Sequence, residues 1–184
     1  MPSDLSTTSY ALLGLLAFDD TTSTGGLTGY ELKQRADKTL RFYWVSPAMS
    51  QIYSELSRLH RHHHVDTFDE KSGRRTTRRY RITAAGRAAL GAWLKSSDVD
   101  FPILKHPTAL RLLMGQLMEP ADVQTLLNGY LAALTSRRED LLAVREMLGD
   151  VHELRFPAMV ADWGLHYYDS ETEIVRKLSR KIDE

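Results

Sequence analysis

Short polar side chains precede a dense run of basic ones in the stretch from Ser46 to Arg81, an order of residue types that suits contact with a polyanion. Apolar residues recur in its first part at the spacing of a helix, which predicts one buried face. That face would comprise Met49, Ile52, Tyr53, Leu56 and Leu59. Ser46 is expected to cap this helix, with Pro47 at its first position.

The opposite face of the predicted helix is polar at its start and basic at its end: Ser50, Gln51, Ser54, Ser57, Arg58 and Arg61. Short side chains let a helix backbone approach base edges, and glutamine can pair with adenine in the major groove. We therefore predict that Ser50, Gln51 and Ser54 face bases, that Arg58 and Arg61 face phosphates, and that Ser46 belongs to the same DNA-binding set. A serine-rich helix on an ordinary surface would show the same pattern.

Basic residues occupy six of the eleven positions from Lys71 to Arg81, and no acidic residue stands among them. They follow a short predicted strand from Val65 to Phe68 and a turn from Glu70 to Gly73, and a second strand begins at Thr77. So many like charges repel one another unless a polyanion neutralises them, although a solvated charge run is the common alternative. The residues predicted to contact DNA from this hairpin are Lys71, Arg74, Arg75, Arg78 and Arg79.

Four segments resemble the PadR-type transcriptional regulators: Leu5 to Leu16, Leu27 to Leu32, Ser50 to Leu59 and Arg78 to Gly86. The resemblance covers about residues 5–97 well. It implies a winged helix-turn-helix, a helical dimerisation domain and, usually, repression of transcription. In one respect the chain departs from the family, which commonly places a glycine before the wing. A histidine-rich segment stands there instead, so His64 is expected to take the left-handed conformation that ends the helix.

The distribution of charge separates two halves of the 184-residue chain. Residues 1–97 hold 14 Lys and Arg against 9 Asp and Glu, and residues 98–184 hold 10 against 15, so a net charge of zero conceals +5 and −5. A basic half joined to an acidic half is typical of a DNA-binding domain with a partner domain. The chain has no cysteine, no basic leader with a cleavage site and no apolar run long enough for a bilayer, and these features favour a cytoplasmic protein.

The predicted architecture is mainly α (α+β): a winged helix-turn-helix over residues 1–97, a linker over 98–107 and a helical dimerisation or effector domain over 108–184. Thr28, with Glu31 three residues on, and Thr83 are expected to cap helices, and prolines interrupt the linker. Thr108 to Met118 predicts one helix and the last helix should begin near Pro157. The residues predicted for the dimer interface are Leu127, Leu134, Leu141, Leu148, Trp163 and Tyr167.

The four leucines recur every seven residues, which is typical of a coiled-coil seam. A hairpin within one chain is the alternative. A two-fold dimer would present two recognition helices about 34–36 Å apart, so the operator is expected to be an inverted repeat.

A histidine cluster and an aromatic set allow other chemistry. His60 and His64 are four residues apart and would share a helix face, so with Asp66 or Asp69 they could hold a metal ion in a sensor or an enzyme. The alternative is that His60, His62, His63 and His64 lie near DNA or cover the helix end. Trp93, Trp163, His166 and Tyr167 could line a pocket for a flat organic effector.

No nucleophile–base arrangement or phosphate-binding glycine loop is present, so the sequence predicts no enzyme and no cofactor. A third possibility is a helical adaptor that binds other proteins through the coiled-coil seam and does not bind DNA.

Overall fold

The computed structural model describes residues 5–22, 25–42, 44, 46–72, 75–96 and 105–182, with only the backbone for residues 20–22, 72 and 75. The chain divides into two compact units, Met1–Asp100 and Phe101–Glu184, and the boundary falls inside the predicted linker. The helices of the first unit are α1 (Thr7–Thr22), α2 (Gly29–Thr39), α3 (Met49–Arg61) and α4 (Ala84–Leu94), and its strands are β1 (Val65–Ser72) and β2 (Arg75–Ile82). The helices of the second are α5 (Pro107–Leu113), α6 (Pro120–Leu148) and α7 (Arg155–Arg180).

Both helix caps predicted at threonines are confirmed. The Thr28 hydroxyl accepts a hydrogen bond from the Glu31 N–H at 3.1 Å, and the Glu31 carboxylate accepts one from the Thr28 N–H at 2.8 Å. This reciprocal pair satisfies two backbone donors that the first turn of a helix leaves without partners. Thr83 caps α4 by accepting from the Gly86 N–H at 3.0 Å.

The predicted start of α3 is wrong by two residues, because the helix begins at Met49 and not at Pro47. The Ser46 hydroxyl donates to Asp37 and accepts from Lys33 Nζ, so it has no part in capping. Pro47 is buried before the helix, and Ala48 takes the extended cap position. An alanine has no side-chain acceptor to offer, but the Gln51 Oε1 accepts a hydrogen bond from the Ala48 N–H at 3.1 Å, which satisfies one donor.

The core of the first unit unites three helices with the hairpin. Helix α1 is apolar on most sides, and α3 contributes the buried face that its spacing predicted. The buried residues of this core are Tyr10, Leu12, Leu13, Leu16, Leu27, Leu32, Ile52, Leu56, Leu59, Val65, Tyr80 and Ile82. Tyr53 departs from the prediction, because its side chain is 47% exposed beside the first residue of α2, Gly29.

The hairpin is longer than the sequence indicated. Strands β1 and β2 pair antiparallel from Val65 opposite Ile82 to Ser72 opposite Arg75, so Glu70 lies in a strand and not in a turn. Leu27 adds a short bridge to β2, with its N–H donating to the Tyr80 carbonyl at 3.0 Å and its carbonyl accepting at 2.8 Å. These backbone bonds attach the wing to the residues that lead into α2.

The second unit is built on the packing of α6 against α7. Leu127, Leu134 and Leu141 are at most 3% exposed within it, and Leu148 is half-buried. The buried residues of α7 include the small residues Ala158, Ala161 and Gly164. The packing is close at Gly164, where an added Cβ would lie 2.6 Å from Leu141 Cδ2. The heptad leucines therefore serve an intramolecular hairpin, which was the alternative to a free dimer seam.

Two helix boundaries in the second unit also differ from the predictions. Helix α5 stops at Leu113 and a 3-10 turn, Gly115–Leu117, follows it, whereas one helix was expected. Helix α7 begins at Arg155, two residues before Pro157, because a proline is tolerated in a first turn. None of the helices described has both the length and the hydropathy needed to cross a bilayer.

Candidate nucleic-acid interface

The solvent side of α3 carries the residues that the sequence assigned to DNA. Ser50, Gln51, Ser54, Ser57 and Arg61 are all exposed, and we call them the outer face of α3. None of them is needed for the core, so they are available to a partner. The tyrosine that sequence reasoning placed in the core, Tyr53, is exposed on this helix as well. Only the tertiary structure shows this, because helical spacing put it at the edge of the apolar face.

Gln51 can combine two roles. Its Oε1 already accepts from the Ala48 N–H, but an amide oxygen has a second lone pair and the Nε2 group has two donors. Adenine recognition needs one acceptor and one donor from glutamine. The cap therefore holds the side chain at the start of the helix without consuming its capacity to read a base.

Arg58 lies in a different environment from the one predicted. Its Nη2 donates to the Ser9 hydroxyl of α1 at 2.9 Å and to the Glu55 carboxylate at 2.9 Å. Ser9 is fully buried and also donates to Glu55. Arg58 therefore joins α3 to α1, and a phosphate would have to compete with these bonds.

The end of α3 is closed by histidine in place of the usual glycine. His63 has φ +58°, the left-handed conformation that was expected at His64. The His64 N–H donates to the Leu59 carbonyl at 2.9 Å and the His63 N–H to the His60 carbonyl at 3.0 Å, the two bonds of a Schellman motif. The Thr83 hydroxyl then donates to the His63 carbonyl at 2.8 Å, which joins this turn to α4.

The histidines of this turn do not form a metal site in the described part of the chain, where no three His, Cys, Asp or Glu side chains come together. Helix α3 ends at Arg61, so His60 and His64 do not share a helix face. The His60 Nδ1–H donates to the Val65 carbonyl at 3.1 Å. Burial lowers the pKa of His64, and the charges of His62 and His63 lower it further.

The wing presents a basic surface that is partly neutralised by its own first strand. Lys71 and Arg78 are exposed, but the register places Asp69 opposite Arg78 and Asp66 opposite Arg81. Arg78 Nε lies 3.6 Å from Asp69 Oδ1, and both side chains are more than half exposed. Arg74 and the side chain of Arg75 lie outside the described residues.

Arg79 differs from its neighbour because its side chain is only 20% exposed. Nε donates to Glu70 Oε2 at 2.6 Å, and Nη1 donates to the Gly26 carbonyl at 2.7 Å and to Glu31 Oε2 at 3.3 Å. The bond to Glu70 raises the pKa of Arg79. Burial alone would raise the pKa of Glu31, but its hydrogen bonds from Thr28 and the nearby arginine charges outweigh burial and lower it.

The aromatic residues predicted to line an effector pocket belong to two separately packed units. In the first unit, Trp93 stacks on Tyr10 with ring centroids 4.7 Å apart. In the second, Trp163 is 75% exposed and the His166 Nδ1–H donates to the Asp162 carbonyl at 2.7 Å. The ring of Tyr167 stands edge-on to that of Tyr168 at 5.8 Å.

A surface cavity of about 620 Å³ lies between α5 and α6 in the second unit, and its lining includes Thr108, Arg111, Asp122, Leu126 and Tyr130. The Tyr130 hydroxyl donates to Glu171 at 3.3 Å, and His106 Nε2 lies 2.8 Å from the same carboxylate. Burial, with the charge of Glu171, raises the pKa of Tyr130, so the phenol stays protonated. The lining of the cavity thus includes an aromatic ring, Tyr130, and a cation, Arg111.

Comparison with known families gives a match that covers most of the first unit. Residues 21–92 match the model of the transcriptional regulator PadR-like family. The chain carries a PadR-like domain. This match includes α2, α3 and the wing, and members of the family are DNA-binding regulators and not enzymes. A PadR-like domain and the mainly helical winged fold are therefore confirmed, and the metal-binding alternative is not favoured.

Solved PadR-type structures share the fold over almost the whole chain. Bacillus subtilis PadR in complex with operator DNA superposes with a TM-score of 0.81 at 21% identity, over 96% of this chain and 99% of that one. The PadR-like regulator BC1756 from Bacillus cereus gives 0.78 at 17% identity, over 99% of each. Bacillus subtilis PadR in complex with p-coumaric acid gives 0.73 at 21% identity, over 97% of this chain and 100% of that one. No curated protein matches this chain.

Proposed function

We propose that the PadR-like domain binds double-stranded DNA through α3 and the wing, and that the chain acts in the cytoplasm as a homodimeric transcriptional repressor. The observation that carries this proposal is the outer face of α3, which is exposed, short and polar, and is followed by a wing with exposed basic residues. A fold shared with a PadR captured on operator DNA adds support.

Each part of the interface has a distinct role in this proposal. Ser50, Gln51 and Ser54 read base edges in the major groove, and Arg61 holds a flanking phosphate. The wing residues Lys71, Arg74, Arg75 and Arg78 engage the backbone or the minor groove. Ser46 holds the segment that leads into α3 through its hydrogen bonds to Asp37 and Lys33 of α2.

A homodimer is proposed because one face of α7 is apolar and exposed. Its members recur at helical spacing and comprise Phe156, Met159, Trp163, Tyr167 and Ile174. They lie on the side of α7 opposite the side that packs on the heptad leucines of α6. We therefore move the proposed dimer interface from those leucines to this exposed face of α7. A two-fold dimer would read an inverted repeat.

An aromatic effector is the proposed signal. The fold neighbour bound to p-coumaric acid supports a flat phenolic ligand, and Trp163 and Tyr167 would supply aromatic side chains for it at the proposed dimer interface. A ligand can shift DNA binding only if it has different affinities for the two states. Addition of p-coumarate to the protein–DNA complex is the direct probe.

The experiment is a fluorescence-anisotropy titration against the DNA upstream of the protein's own gene and a scrambled duplex, at several salt concentrations. The proposal expects tighter binding to the upstream DNA, with affinity that falls steeply as salt rises because phosphate contacts release counterions. Addition of the protein to a transcription assay on the same DNA should lower the transcript. Equal weak binding to both duplexes and to tiled genomic fragments would contradict the proposal.

A further inference from the structure

Arg79 is the side chain that connects the wing to the start of the helix-turn-helix. Its guanidinium bonds to Glu70 across the wing, to the Gly26 carbonyl and to Glu31 in the first turn of α2. Arg78, the residue before it, has one 3.6 Å ion pair and a side chain that is 65% exposed, against 20% for Arg79. The guanidinium of Arg79 is therefore bonded within the fold, whereas the side chain of Arg78 is largely exposed to solvent.

The segment that receives Arg79 is held closely against the wing. Leu27 and Tyr80 exchange both backbone hydrogen bonds, at 3.0 and 2.8 Å. Gly26 has φ +62°, and a Cβ there would lie 2.6 Å from the Tyr80 carbonyl oxygen, so only glycine fits. Glu31 is fixed as well, because its carboxylate caps α2 by accepting from the Thr28 N–H.

The Leu27–Tyr80 bridge and the buried side chains of Val65, Tyr80 and Ile82 fix the base of the hairpin. The planar guanidinium of Arg79 adds donors in a fixed fork beside that bridge. One end of the fork reaches the wing carboxylate of Glu70 and the other reaches Gly26 and Glu31, so a rotation of the wing would break several charge-assisted bonds together. Because α2 packs on α3, fixing the wing to α2 also fixes it to the outer face of α3.

We propose that Arg79 is a positioning residue that sets the angle of the wing relative to α3, and that it does not contact DNA phosphates. This revises the place of Arg79 in the predicted DNA-binding set, and it rests on the proposed DNA binding. A phosphate contact through Nε or Nη1 would require Arg79 to leave two carboxylates and a carbonyl. Arg78 would give up one exposed, 3.6 Å ion pair to make the same contact.

The first test needs no DNA. Amide hydrogen exchange followed by NMR would compare Arg79→Ala and Arg79→Lys with wild type and with the control Arg78→Ala. The proposal expects at least a tenfold loss of protection at Leu27 and Tyr80 in Arg79→Ala, a smaller loss in Arg79→Lys and none in Arg78→Ala. The amide of Leu56 in the core of α3 should keep its protection. Unchanged Leu27 and Tyr80, or an equal loss at all three amides, would overturn the proposal.

The second test uses the salt dependence of DNA binding. Loss of one phosphate contact lowers the slope of log K against log salt by about 1. Arg78→Ala should do so. Arg79→Ala should weaken binding to the preferred DNA about tenfold and leave the slope at the wild-type value. A slope that falls by about 1 in Arg79→Ala would identify a phosphate contact and overturn the proposal.

Two acid-to-amide variants separate position from charge. Glu31→Gln keeps a capping side chain at the start of α2 but removes the charge that holds Arg79. Removal of an acid near DNA should strengthen binding by charge alone, as we expect for Asp69→Asn. Glu31→Gln should instead weaken binding about threefold, and tighter binding in both variants would overturn the proposal. A wild-type protein without sequence preference would refute the proposed function, while the exchange experiment would still decide whether Arg79 positions the wing.

Discussion

A Cβ at position 86 would lie 2.2 Å from the carbonyl oxygen of His64, so α4 approaches the turn after α3 as closely as a glycine permits. The same carbonyl accepts a hydrogen bond from the Thr83 N–H at 3.1 Å. This contact packs α4 directly against the turn that leads from α3 to the wing.

Gly86→Ala should therefore destabilise the protein by about 1–3 kcal/mol, because the neighbour is backbone and cannot rotate away. The measurement is the free energy of unfolding in urea. Gly91→Ala in the same helix is the matched control, since nothing lies within 4 Å of its added Cβ. The control should be neutral or gain up to about 1 kcal/mol from helix propensity. Equal effects at the two positions would contradict the close contact.

His63→Gly should stabilise the protein by about 0.5–1 kcal/mol. A left-handed residue with a Cβ costs about 1–2 kcal/mol, and glycine removes that cost but loses more backbone entropy on folding. His62→Gly is the control, because His62 has φ −88° and gains nothing from glycine. The urea midpoints of the two variants should move in opposite directions, and a loss of stability in His63→Gly would refute the account of this turn.

The outer face of α3 and the wing should affect DNA binding in different ways. Gln51→Ala should relax preference at one base position, whereas Arg78→Ala should weaken all sequences alike and lower the salt slope by about 1. Asp69→Asn should tighten binding at low salt, because it frees Arg78 and removes a negative charge beside it. Anisotropy on the preferred duplex, single-base variants and a scrambled duplex measures all three. Equal loss on every duplex for Gln51→Ala and Arg78→Ala would contradict these roles.

The exposed face of α7 should control the oligomeric state. Trp163→Ser should weaken dimerisation by about 2 kcal/mol or more, since a central tryptophan commonly dominates an interface. Trp163→Phe keeps an aromatic ring and should retain most of the dimer. Sedimentation equilibrium over a range of concentrations gives both dissociation constants. A wild-type monomer, or an unchanged dimer in Trp163→Ser, would remove this face from the interface.

His64 should make stability depend on pH. Its lowered pKa means that the unfolded chain binds the proton more tightly, so its contribution is present above the unfolded value, about 6.5, and is lost as pH falls toward the folded value. His64→Gln should lose less unfolding free energy than wild type between pH 7.5 and 5.5. His152→Gln is the control, because His152 is exposed in the second unit, and this variant should follow wild type. Parallel losses in all three proteins would contradict the assignment to His64.

Local pattern was enough to determine the elements that depend on short-range physics. Thr28 with Glu31 and Thr83 could be identified as caps because capping joins residues three positions apart. The apolar spacing of α3 identified Ile52, Leu56 and Leu59 as core, and the ordered family segments identified the winged domain. The caps and the apolar face of α3 depend on neighbours within one or two turns of chain.

Tertiary structure alone decided which charged and apolar groups are free to act. The run from Lys71 to Arg81 contains no acid, yet the antiparallel register brings Asp69 to Arg78, and the fold brings Glu31 of α2 to Arg79. Leu127, Leu134 and Leu141 have the period of a dimer seam, but α7 covers them within the chain. Spacing along a sequence specifies which residues share a face, and it does not specify what packs against that face, because the partner comes from a distant part of the chain.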